Sequence, residues 1–499
     1  MSRIVDDLIA RAQAAGDEAA LAWKDGAIPG RRFWDGVAGR AESLSRSGVA
    51  QGDRVAIWLP KGPATVETLF AVMINGAIAV PIDPGFPAAR ATAVLGEIGP
   101  AMLVTDGKRR DMLAGGAVER SRVVVTDAME GSEPGGDPLA RKAIGEDDPA
   151  MILMTSGSTG TPKGIVLTHG NLAAFSDWAI GQFGLTREDR FFSLAPLHFD
   201  LSLLDVLTSQ RLGASVYLVG ETEALFPGPV AMALERQRAT VFYSVPTTLQ
   251  RLLSHGGLAD RDLGALRWLL FAGEVFPAPV LAALMEAVPE PGYANLYGPT
   301  ETNVVSCKLL DAAPELGEKP NVGLPCPHSD ISIRDEHGNK LATGETGEIC
   351  VAGPTVTQGY WRRPDLTASA FSDAPDRLYH TGDYGYFDEA GDLRYLGRRD
   401  RQAKLRGYRV ELEEVELTAM DTGLVEGAAA TVADGALCLH VVAHDPKAFA
   451  PSALTRALAE RLPRYALPDR VEMHEAFPTT SSGKVDMQAL AECAGGTDA

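Results

Sequence analysis

The sequence has few cysteines, no long hydrophobic run and a deficit of basic residues, and each shortage argues against a class of protein. Its five cysteines form no CxxC pair, which argues against a zinc site or a secreted disulfide framework. No stretch reaches the roughly 18 apolar residues of a membrane span, and no targeting signal is recognisable at the start. A net charge of −20 argues against a nucleic-acid partner held by a general basic surface. These shortages favour a soluble, cytoplasmic enzyme.

At 499 residues, 45% of them hydrophobic, the chain is long enough for two or more domains. Short apolar runs at residues 54–59, 77–82, 102–105 and 122–126 predict strands, and the alternation with helical patterns favours a parallel sheet. The alternation resumes after residue 171 and predicts a second α/β sheet, because one sheet of so many strands would be very wide.

Two changes of pattern follow. From residue 322, short strands and turns such as His337-Gly338-Asn339 predict an antiparallel, barrel-like region. Beyond residue 400, a helix, a strand and a second helix predict a compact α/β unit of about 100 residues. We therefore predict an α/β fold with two domains. The large N-terminal domain, residues 1–399, has two α/β sheets plus a small β-barrel-like subdomain, and a small mobile C-terminal α/β domain spans residues 400–499.

Residues 151–164, MILMTSGSTGTPKG, form an apolar strand that leads into a loop rich in glycine and hydroxyl groups. Glycines permit close backbone approach, and the hydroxyls and one lysine offer donors to a polyphosphate. The alternative is a polar surface loop, and the Walker A pattern does not fit these residues. The candidate nucleotide-binding residues here are Thr155, Ser156, Gly157, Ser158, Thr159, Gly160 and Lys163.

Three polar residues in later turns are further candidates. Glu301, beside Thr300 in NLYGPTET, suits a magnesium ion shared with phosphate oxygens, or belongs to an ordinary turn. Asp383, in YHTGD, can accept hydrogen bonds from two ribose hydroxyls, or is a turn aspartate. Lys484, in SGKVD, has a long cationic stem that can reach another domain, or is solvated.

Together these stretches resemble the adenylate-forming superfamily, specifically the amino-acid adenylation domains of nonribosomal peptide synthesis. The resemblance extends over essentially the whole chain. Besides the motifs above, it rests on GAIAVPIDP at residues 76–84, HFDLS at 198–202, GEICVAGPTVTQGYW at 347–361, GRRDRQAKLRGYRVELEEVE at 397–416 and LPRYALP at 462–468.

The resemblance implies a two-step reaction with ATP and Mg²⁺. An amino acid is activated as its adenylate, and a thiol then takes the acyl group as a thioester. The resemblance assigns the cation that meets charge developing on the α-phosphate to Lys484. It also implies that Glu301 is linked to the metal, that Asp383 is the ribose ligand and that Arg398 is a second ribose or phosphate contact. Tyr297 would lie beside the adenine, with Gly298 and Thr300 in the same loop. Asp400 matches a hinge, and His198 is either a gate for the thiol or a packing histidine.

Asp200, in HFDLS, matches the aspartate with which adenylation domains hold an α-ammonium group, and its alternative role is the N-cap of a helix predicted at residues 201–212. The matching side-chain pocket is apolar except for a tyrosine and a lysine, so we expect a small or medium apolar amino acid. The set resembles that of stand-alone prolyl-adenylating ligases, while alanine and valine stay open. The pocket residues are Leu201, Leu204, Tyr243, Leu270, Ala272, Leu296, Val304, Val305 and Lys484.

No carrier-protein motif occurs in the chain, so the expected partner is a free-standing peptidyl carrier protein with a phosphopantetheine arm. The rival functions are a D- or L-alanine carrier protein ligase, an acyl-CoA ligase and a catalytically dead nucleotide-binding protein. His440 and His444 have the spacing of a metal pair, but the strand-like stretch around them and the missing third ligand argue against one.

Overall fold

The computed structural model describes residues 1–113, 122–126, 143–155, 162–315, 321–372, 377–398, 402–433, 435–478, 485, 487 and 489–491. The chain divides into two compact units. The first comprises Met1–Pro84, Ile98–Met154 and Gly164–Arg399, and the second comprises Gly85–Glu97, Thr155–Lys163 and Asp400–Ala499. The division into two domains at residues 399 and 400 stays a prediction. Within the described ranges, no helix has the length and apolar character needed to cross a bilayer.

The helices begin and end mostly where caps and prolines predict. The α-helices are α1 (Arg3–Ala14), α2 (Gly30–Arg46), α3 (Pro63–Ile74), α4 (Ala88–Ile98), α5 (Gly107–Met112), α6 (His169–Phe183), α7 (Ser209–Leu212), α8 (Glu221–Ala224), α9 (Pro227–Arg236), α10 (Pro246–His255), α11 (Ala278–Ala287), α12 (Pro364–Ala370), α13 (Leu412–Met420) and α14 (Pro451–Ala459). Leu203–Thr208 is a π-helix, and Leu258–Asp260 and Arg464–Ala466 are 3₁₀ turns.

The strands are numbered along the chain. They are β1 (Ala19–Trp23), β2 (Gly26–Pro29), β3 (Arg54–Trp58), β4 (Ile78–Pro81), β5 (Met102–Thr105), β6 (Val123–Val125), β7 (Pro149–Thr155), β8 (Lys163–Thr168), β9 (Arg190–Ser193), β10 (Ser215–Leu218), β11 (Val241–Ser244), β12 (Trp268–Ala272), β13 (Gly292–Tyr297), β14 (Ser306–Leu310), β15 (Asn321–Pro325), β16 (Asp330–Arg334), β17 (Gly347–Ala352), β18 (Phe371–Ser372), β19 (Leu378–Phe387), β20 (Leu393–Arg398), β21 (Gln402–Leu405), β22 (Tyr408–Glu411), β23 (Val425–Ala433), β24 (Ala436–Ala443) and β25 (Arg470–His474).

The first sheet has the strand order β6-β5-β3-β4-β7-β8. Its strands pair in parallel from β6 through β5, β3 and β4 to β7. β4 and β5 are buried along their whole length, which explains their continuous apolar runs. The strands predicted at residues 54–59, 77–82, 102–105 and 122–126 are all confirmed.

The second sheet has parallel pairing from β1 through β10, β9, β11 and β12 to β13. Antiparallel pairing begins between β13 and β14 and continues through β15, β20, β19 and β17 to β16. The predicted second α/β sheet and the predicted antiparallel region are therefore both present. The two regions are hydrogen-bonded to one another through β14 and β15.

Helix α6 shows how local sequence sets an element's ends. The hydroxyl of Thr168 accepts a hydrogen bond from Asn171 N at 3.0 Å, and the Asn171 side chain accepts one from Thr168 N at 2.9 Å. This reciprocal pair satisfies two backbone donors at the start of the helix. Gly184 ends the helix with a φ of 54°, a left-handed conformation that glycine adopts without a side-chain clash.

His169 lies at the first position of α6 and is fully buried. In the described part of the chain neither ring nitrogen has a hydrogen-bond partner. Burial lowers the pKa of His169 to about 4, although Asp148 and Glu146 act in the opposite direction. The folded protein therefore holds this imidazole neutral, whereas the unfolded chain protonates it below a pKa of about 6.5.

This difference predicts that acid destabilises the protein through His169. Between pH 6.5 and pH 4 the unfolded state binds the extra proton, so the free energy of unfolding falls as the pH falls. From pH 7 to pH 5 we expect wild type to lose about 2 kcal/mol more than His169→Gln, since glutamine does not titrate. Urea denaturation at both pH values measures the difference, with the exposed His337→Gln as control. Equal pH dependence in wild type and His169→Gln would contradict the assignment.

The second unit contains the β21–β22 hairpin and a sheet in which β23 and β24 are antiparallel and β24 and β25 are parallel. Leu437, Leu439 and Val441 of β24 share a buried core with Leu454 and Leu458 of α14. The intervening residues of β24 face the opposite side of the sheet, because side chains alternate along a strand. The helices predicted around residues 411–419 and 451–462 and the strand at 437–443 are confirmed.

Candidate active site

The NLYGPTET motif forms the end of β13 and the tight loop that follows it. A Cβ atom on Gly298 would lie 1.7 Å from the backbone oxygen of Asn303, so only glycine fits at this position. The turn closes with a 2.9 Å hydrogen bond from Thr302 N to Pro299 O. This geometry directs Thr300 and Glu301 towards two different sets of partners.

Thr300 donates its hydroxyl hydrogen bond to Asp200 Oδ2 at 2.7 Å. Asp200 is half-buried, and its side-chain charge lies close enough to Tyr243 to raise the pKa of that phenol, although burial is the larger cause. The residue that precedes the π-helix is Ser202, which makes no side-chain capping bond. An anionic carboxylate thus lies beside the predicted amino-acid pocket and is oriented by the loop after β13.

The predicted pocket residues that the structure describes all belong to the main hydrophobic core, and four of them share one face of the second sheet. Tyr243 pairs with Leu270, and Ala272 pairs with Leu296, in the parallel register of β11, β12 and β13. Paired residues two positions apart point to the same face of a sheet, so these four side chains share a surface. This core contains Leu201, Leu204, Tyr243, Leu270, Ala272, Leu296, Val304 and Val305, all of them buried. Their role as a substrate pocket stays a prediction.

The segment predicted as a helix at residues 201–212 is helical, but Leu203–Thr208 is π-helical. A π-helix widens the backbone by one residue per turn and is frequent at functional sites. Leu204 and Asp205 lie within it, and Asp205 is fully buried. The apolar periodicity predicts a helix here but carries no signal for its winding.

Sequence reasoning missed Lys61, which holds the chain segment that leads to Asp200. Its ammonium donates to Ser193 O at 2.7 Å, Ser193 Oγ at 3.0 Å and Ala195 O at 2.7 Å, which satisfies its three donors. Burial lowers the pKa of Lys61 and raises the pKa of Asp205, while the charge of each opposes the shift of the other. The lysine follows β3 of the first sheet and its partners end β9 of the second, so adjacent sequence gives no sign of the contact.

His198, the predicted gate, lies near a carboxylate of the GAIAVPIDP motif. Its Nε2 is 3.8 Å from Asp83 Oδ2. Burial lowers the pKa of His198, and the charges of Asp83 and Glu221 oppose that shift. A neutral, nearly buried imidazole agrees with either a gate or a packing histidine, and the gating role stays a prediction.

Three residues proposed to contact ATP form one hydrogen-bonded group. Tyr297 Oη donates to Asp383 Oδ2 at 2.7 Å, and Arg398 Nη1 donates to Asp383 Oδ1 at 2.9 Å. Asp383 and Arg398 are directly paired in the β19–β20 register. Burial raises the pKa of Tyr297 well above its usual range, and the charge of Asp383 adds to the effect. The two bonds thus orient the Asp383 side chain, whose remaining lone pairs can accept from hydroxyls.

This geometry predicts that Asp383→Asn raises the KM for ATP by about 10- to 100-fold, since hydrogen bonds to a charged acceptor contribute about 1.5–3 kcal/mol. Asparagine has one acceptor oxygen and would place an NH₂ group against Arg398 or the Tyr297 hydroxyl. Tyr297→Phe keeps the ring and removes one bond, so we expect only a few-fold change. Steady-state pyrophosphate exchange at varied ATP measures both, with Asp17→Asn, whose side chain is 90% exposed, as control. A KM unchanged in Asp383→Asn would exclude the ribose role.

Glu301 is fully buried, and its Oε1 accepts a 2.8 Å hydrogen bond from Tyr360 Oη. Its backbone oxygen accepts another from Thr357 N at 2.8 Å. These bonds fix the orientation of a carboxylate, which is the oxygen ligand that Mg²⁺ prefers. The residue therefore fits the predicted metal role, and Tyr360 is a supporting residue that the motif search did not identify.

The phosphate-binding loop is described only at its two ends. Thr155 Oγ1 lies 3.5 Å from Lys163 O, and the Lys163 ammonium lies 4.0 Å from Glu411 Oε1. Lys163 is almost fully buried at the start of β8. The predicted phosphate ligands Ser156, Gly157, Ser158, Thr159 and Gly160, the predicted hinge Asp400 and the predicted catalytic Lys484 lie outside the described residues.

Comparison with known proteins agrees with this geometry. The family model described as AMP-binding enzyme matches residues 8–361. An L-proline–L-prolyl-carrier protein ligase of Pseudomonas fluorescens is 37% identical over 459 residues, which cover 90% of this chain and 90% of that protein. A D-alanine–D-alanyl carrier protein ligase of Bacillus velezensis is 31% identical over 507 residues, covering 98% of this chain and 99% of that protein.

Among solved structures, the amide bond synthetase McbA from Marinactinospora thermotolerans matches with a TM-score of 0.87 and 27% sequence identity, over 97% of this chain and 99% of that one. This match confirms the predicted α/β fold class. Since the family model covers well over half of the sequence, the chain belongs to the AMP-binding enzyme family, the adenylate-forming superfamily that its motifs indicated.

Proposed function

We propose that the chain is an ATP-dependent, AMP-forming ligase that activates L-proline and loads it onto the phosphopantetheine thiol of a separate carrier protein. In the first step the proline carboxylate attacks the α-phosphate of ATP, which forms prolyl-AMP and releases pyrophosphate. In the second step the thiol attacks the acyl carbon, which forms the thioester and releases AMP. The relative of 37% identity carries out this type of ligation with proline, as its name states.

The observation that carries the proposal is the position of Asp200 beside an otherwise apolar pocket. Its carboxylate accepts from Thr300 at 2.7 Å and lies near the buried Tyr243. A partly buried carboxylate is most stable with a cationic partner, and the ammonium of an amino acid supplies one. The apolar side chains around it suit the methylene ring of proline and offer no partner to a charged side chain.

The nucleotide side of the proposal rests on two groups of residues. Asp383, oriented by Tyr297 and Arg398, would accept from the ribose hydroxyls. Glu301 would hold Mg²⁺, which when bound neutralises charge on the phosphate oxygens. Lys484 is proposed from the family resemblance alone as the cation that meets the developing charge on the α-phosphate.

A second candidate substrate is D-alanine, and the relative of 31% identity named for that amino acid favours it. Both substrates have an ammonium group for Asp200 and a small apolar side chain. Apolar contacts discriminate weakly, since one methylene contributes only about 1–3 kcal/mol. The residues of the pocket therefore separate the two substrates only through the extra methylene groups of proline.

ATP–pyrophosphate exchange with the twenty L-amino acids and D-alanine tests the proposal. We expect kcat/KM for L-proline to exceed that for either alanine by about 10-fold or more, which is the factor that one or two methylenes provide. Exchange with D-alanine in the absence of exchange with proline would replace our substrate by the alternative. Absence of exchange with every amino acid would refute the proposed activity.

A further inference from the structure

Two adjacent strands of the second unit carry metal-binding residue types at alternate positions. β24 contains Cys438 and His440, and β25 contains Glu472 and His474. Residues two apart on a strand project to the same face. The parallel register pairs His440 with Glu472, and it places His474 beside Val442. All four side chains therefore lie on the sheet face opposite the Leu437–Leu439–Val441 core.

The ligand atoms of three of these residues converge, and His474 contacts one of the three, His440. His440 Nδ1 lies 3.0 Å from His474 Nε2 and 3.4 Å from Glu472 Oε2. The sulfur of Cys438, a ring nitrogen of His440 and a carboxylate oxygen of Glu472 lie within 4.8 Å of one another. Tetrahedral ligands about 2.0–2.3 Å from a zinc ion are separated by about 3.3–3.8 Å from each other, so binding would require side-chain adjustment, above all of His474.

His440 has the supporting contact of a metal-binding histidine. Its Nε2 lies 2.9 Å from Thr431 Oγ1 on β23. When Nε2 carries the proton and donates to this hydroxyl, the lone pair of Nδ1 points towards Glu472 and His474. Fixing the tautomer through the second ring nitrogen is the common arrangement around metal-bound imidazoles.

The side chains of the proposed site are mostly buried. His440 is fully buried, Cys438 is 3% exposed, and the Glu472 side chain is 27% exposed. A divalent cation would stabilise both the carboxylate and a thiolate, and it would displace the thiol proton.

We propose that Cys438, His440, Glu472 and His474 bind one Zn²⁺ ion that joins β24 to β25. Sulfur and nitrogen ligands select zinc over magnesium, which takes oxygen ligands. Four protein ligands leave no open coordination position, so the ion is structural. None of the four residues is among those proposed to bind ATP or proline. His444, which has metal-pair spacing from His440 in the sequence, is not a ligand. Its Nδ1 lies 3.9 Å from Glu426 Oε2, and its side chain is 57% exposed.

The alternative is a hydrogen-bonded polar cluster that needs no ion, and metal titration distinguishes the two. Full-length protein is freed of metal with a chelator, kept in saturating Mg²⁺ to occupy oxygen-ligand sites, and titrated with Zn²⁺ against a chromogenic chelator. We expect one equivalent to bind. Titration with Co²⁺ alone should give the intense near-ultraviolet absorption of a thiolate–cobalt bond, which a cluster of oxygen and nitrogen ligands cannot produce.

Cys438→Ser is expected to abolish the thiolate absorption and weaken Zn²⁺ binding by at least about 100-fold, because loss of a supporting contact alone costs about 10–100-fold. His474→Gln, at a half-buried position, should weaken binding similarly and serves if Cys438→Ser fails to fold by circular dichroism. His444→Gln is the matched control and should bind like wild type. Absence of stoichiometric Zn²⁺ binding in wild type, or binding unchanged in His474→Gln, would overturn the proposal.

Discussion

Asp200→Asn is expected to lower kcat/KM for L-proline in pyrophosphate exchange by about 30- to 1,000-fold, equivalent to about 2–4 kcal/mol of lost transition-state binding. Asparagine keeps the size of the side chain and the hydrogen bond with Thr300 but removes the negative charge. The substrate ammonium would then lie among apolar groups without a counter-charge. The loss should appear mainly in KM for proline, because the ammonium takes no part in bond making and is bound alike in ground and transition states.

The matched substrate control is cyclopentanecarboxylate, which has the ring and carboxylate of proline but no amine. Wild type should prefer proline to this analogue strongly, and Asp200→Asn should lose most of that preference. The variant's affinity for ATP should stay within a few-fold of wild type. If Asp200→Asn retained full activity with proline, the carboxylate would have a structural role and the acyl-CoA ligase alternative would regain support.

Lys484→Ala is expected to lower the rate of adenylate formation by about 100- to 1,000-fold, the range found when one preorganised charge or donor is removed from a transition state. The family resemblance assigns this lysine to the α-phosphate, where negative charge increases as the proline carboxylate attacks. Because the interaction strengthens in the transition state, the change should fall on kcat. The dissociation constant of ATP should change little.

Single-turnover formation of prolyl-AMP measures the effect, and equilibrium binding of a non-hydrolysable ATP analogue measures nucleotide affinity. Lys447→Ala, which removes an exposed lysine from the same unit, is the control and should behave as wild type. Adenylation at the wild-type rate in Lys484→Ala would show that another cation stabilises the α-phosphate. Loss of ATP binding together with adenylation would instead indicate a ground-state contact.

The elements that the sequence predicts well are those whose signal is local. β5, predicted at residues 102–105, begins and ends at those residues, because three consecutive buried apolar side chains are followed by a buried β-branched threonine. The pocket residues on β11, β12 and β13 were predicted through family motifs, and the parallel register explains why positions far apart in sequence share one face. The sequence motifs likewise indicate Asp383 and Tyr297 separately, and in the structure Tyr297 Oη donates to Asp383 Oδ2 at 2.7 Å.

The features that were missed depend on partners distant in sequence. Lys61 contacts Ser193 across 132 positions of the chain, and Tyr360 contacts Glu301 across 59. The sequence around Lys61 or Tyr360 gives no indication of these distant contacts. The π-helical winding around Asp205 has the same apolar periodicity as an α-helix over so short a segment.

The absence of a CxxC pair argues against a zinc site, because that pair is the usual local sequence pattern of one. The zinc site proposed above would instead take two ligands at alternate positions of one strand and the other two from the neighbouring strand. The convergence of Cys438 and His440 with Glu472 and His474 follows from the β24–β25 register, which the spacing within either strand does not determine. Pairs of metal-binding residue types at alternate positions of predicted strands are the sequence pattern that would indicate such a site.

The proposed function combines the activation of proline with its transfer to a carrier thiol. The most direct test incubates the full-length protein with ATP, Mg²⁺, a free-standing carrier protein bearing phosphopantetheine, and equal concentrations of L-proline and D-alanine. The intact mass of the carrier is then measured before and after hydroxylamine cleaves thioesters. We predict a prolyl adduct that depends on ATP and disappears with hydroxylamine. An alanyl adduct, or activation of proline without any adduct on a series of carrier proteins, would contradict the account.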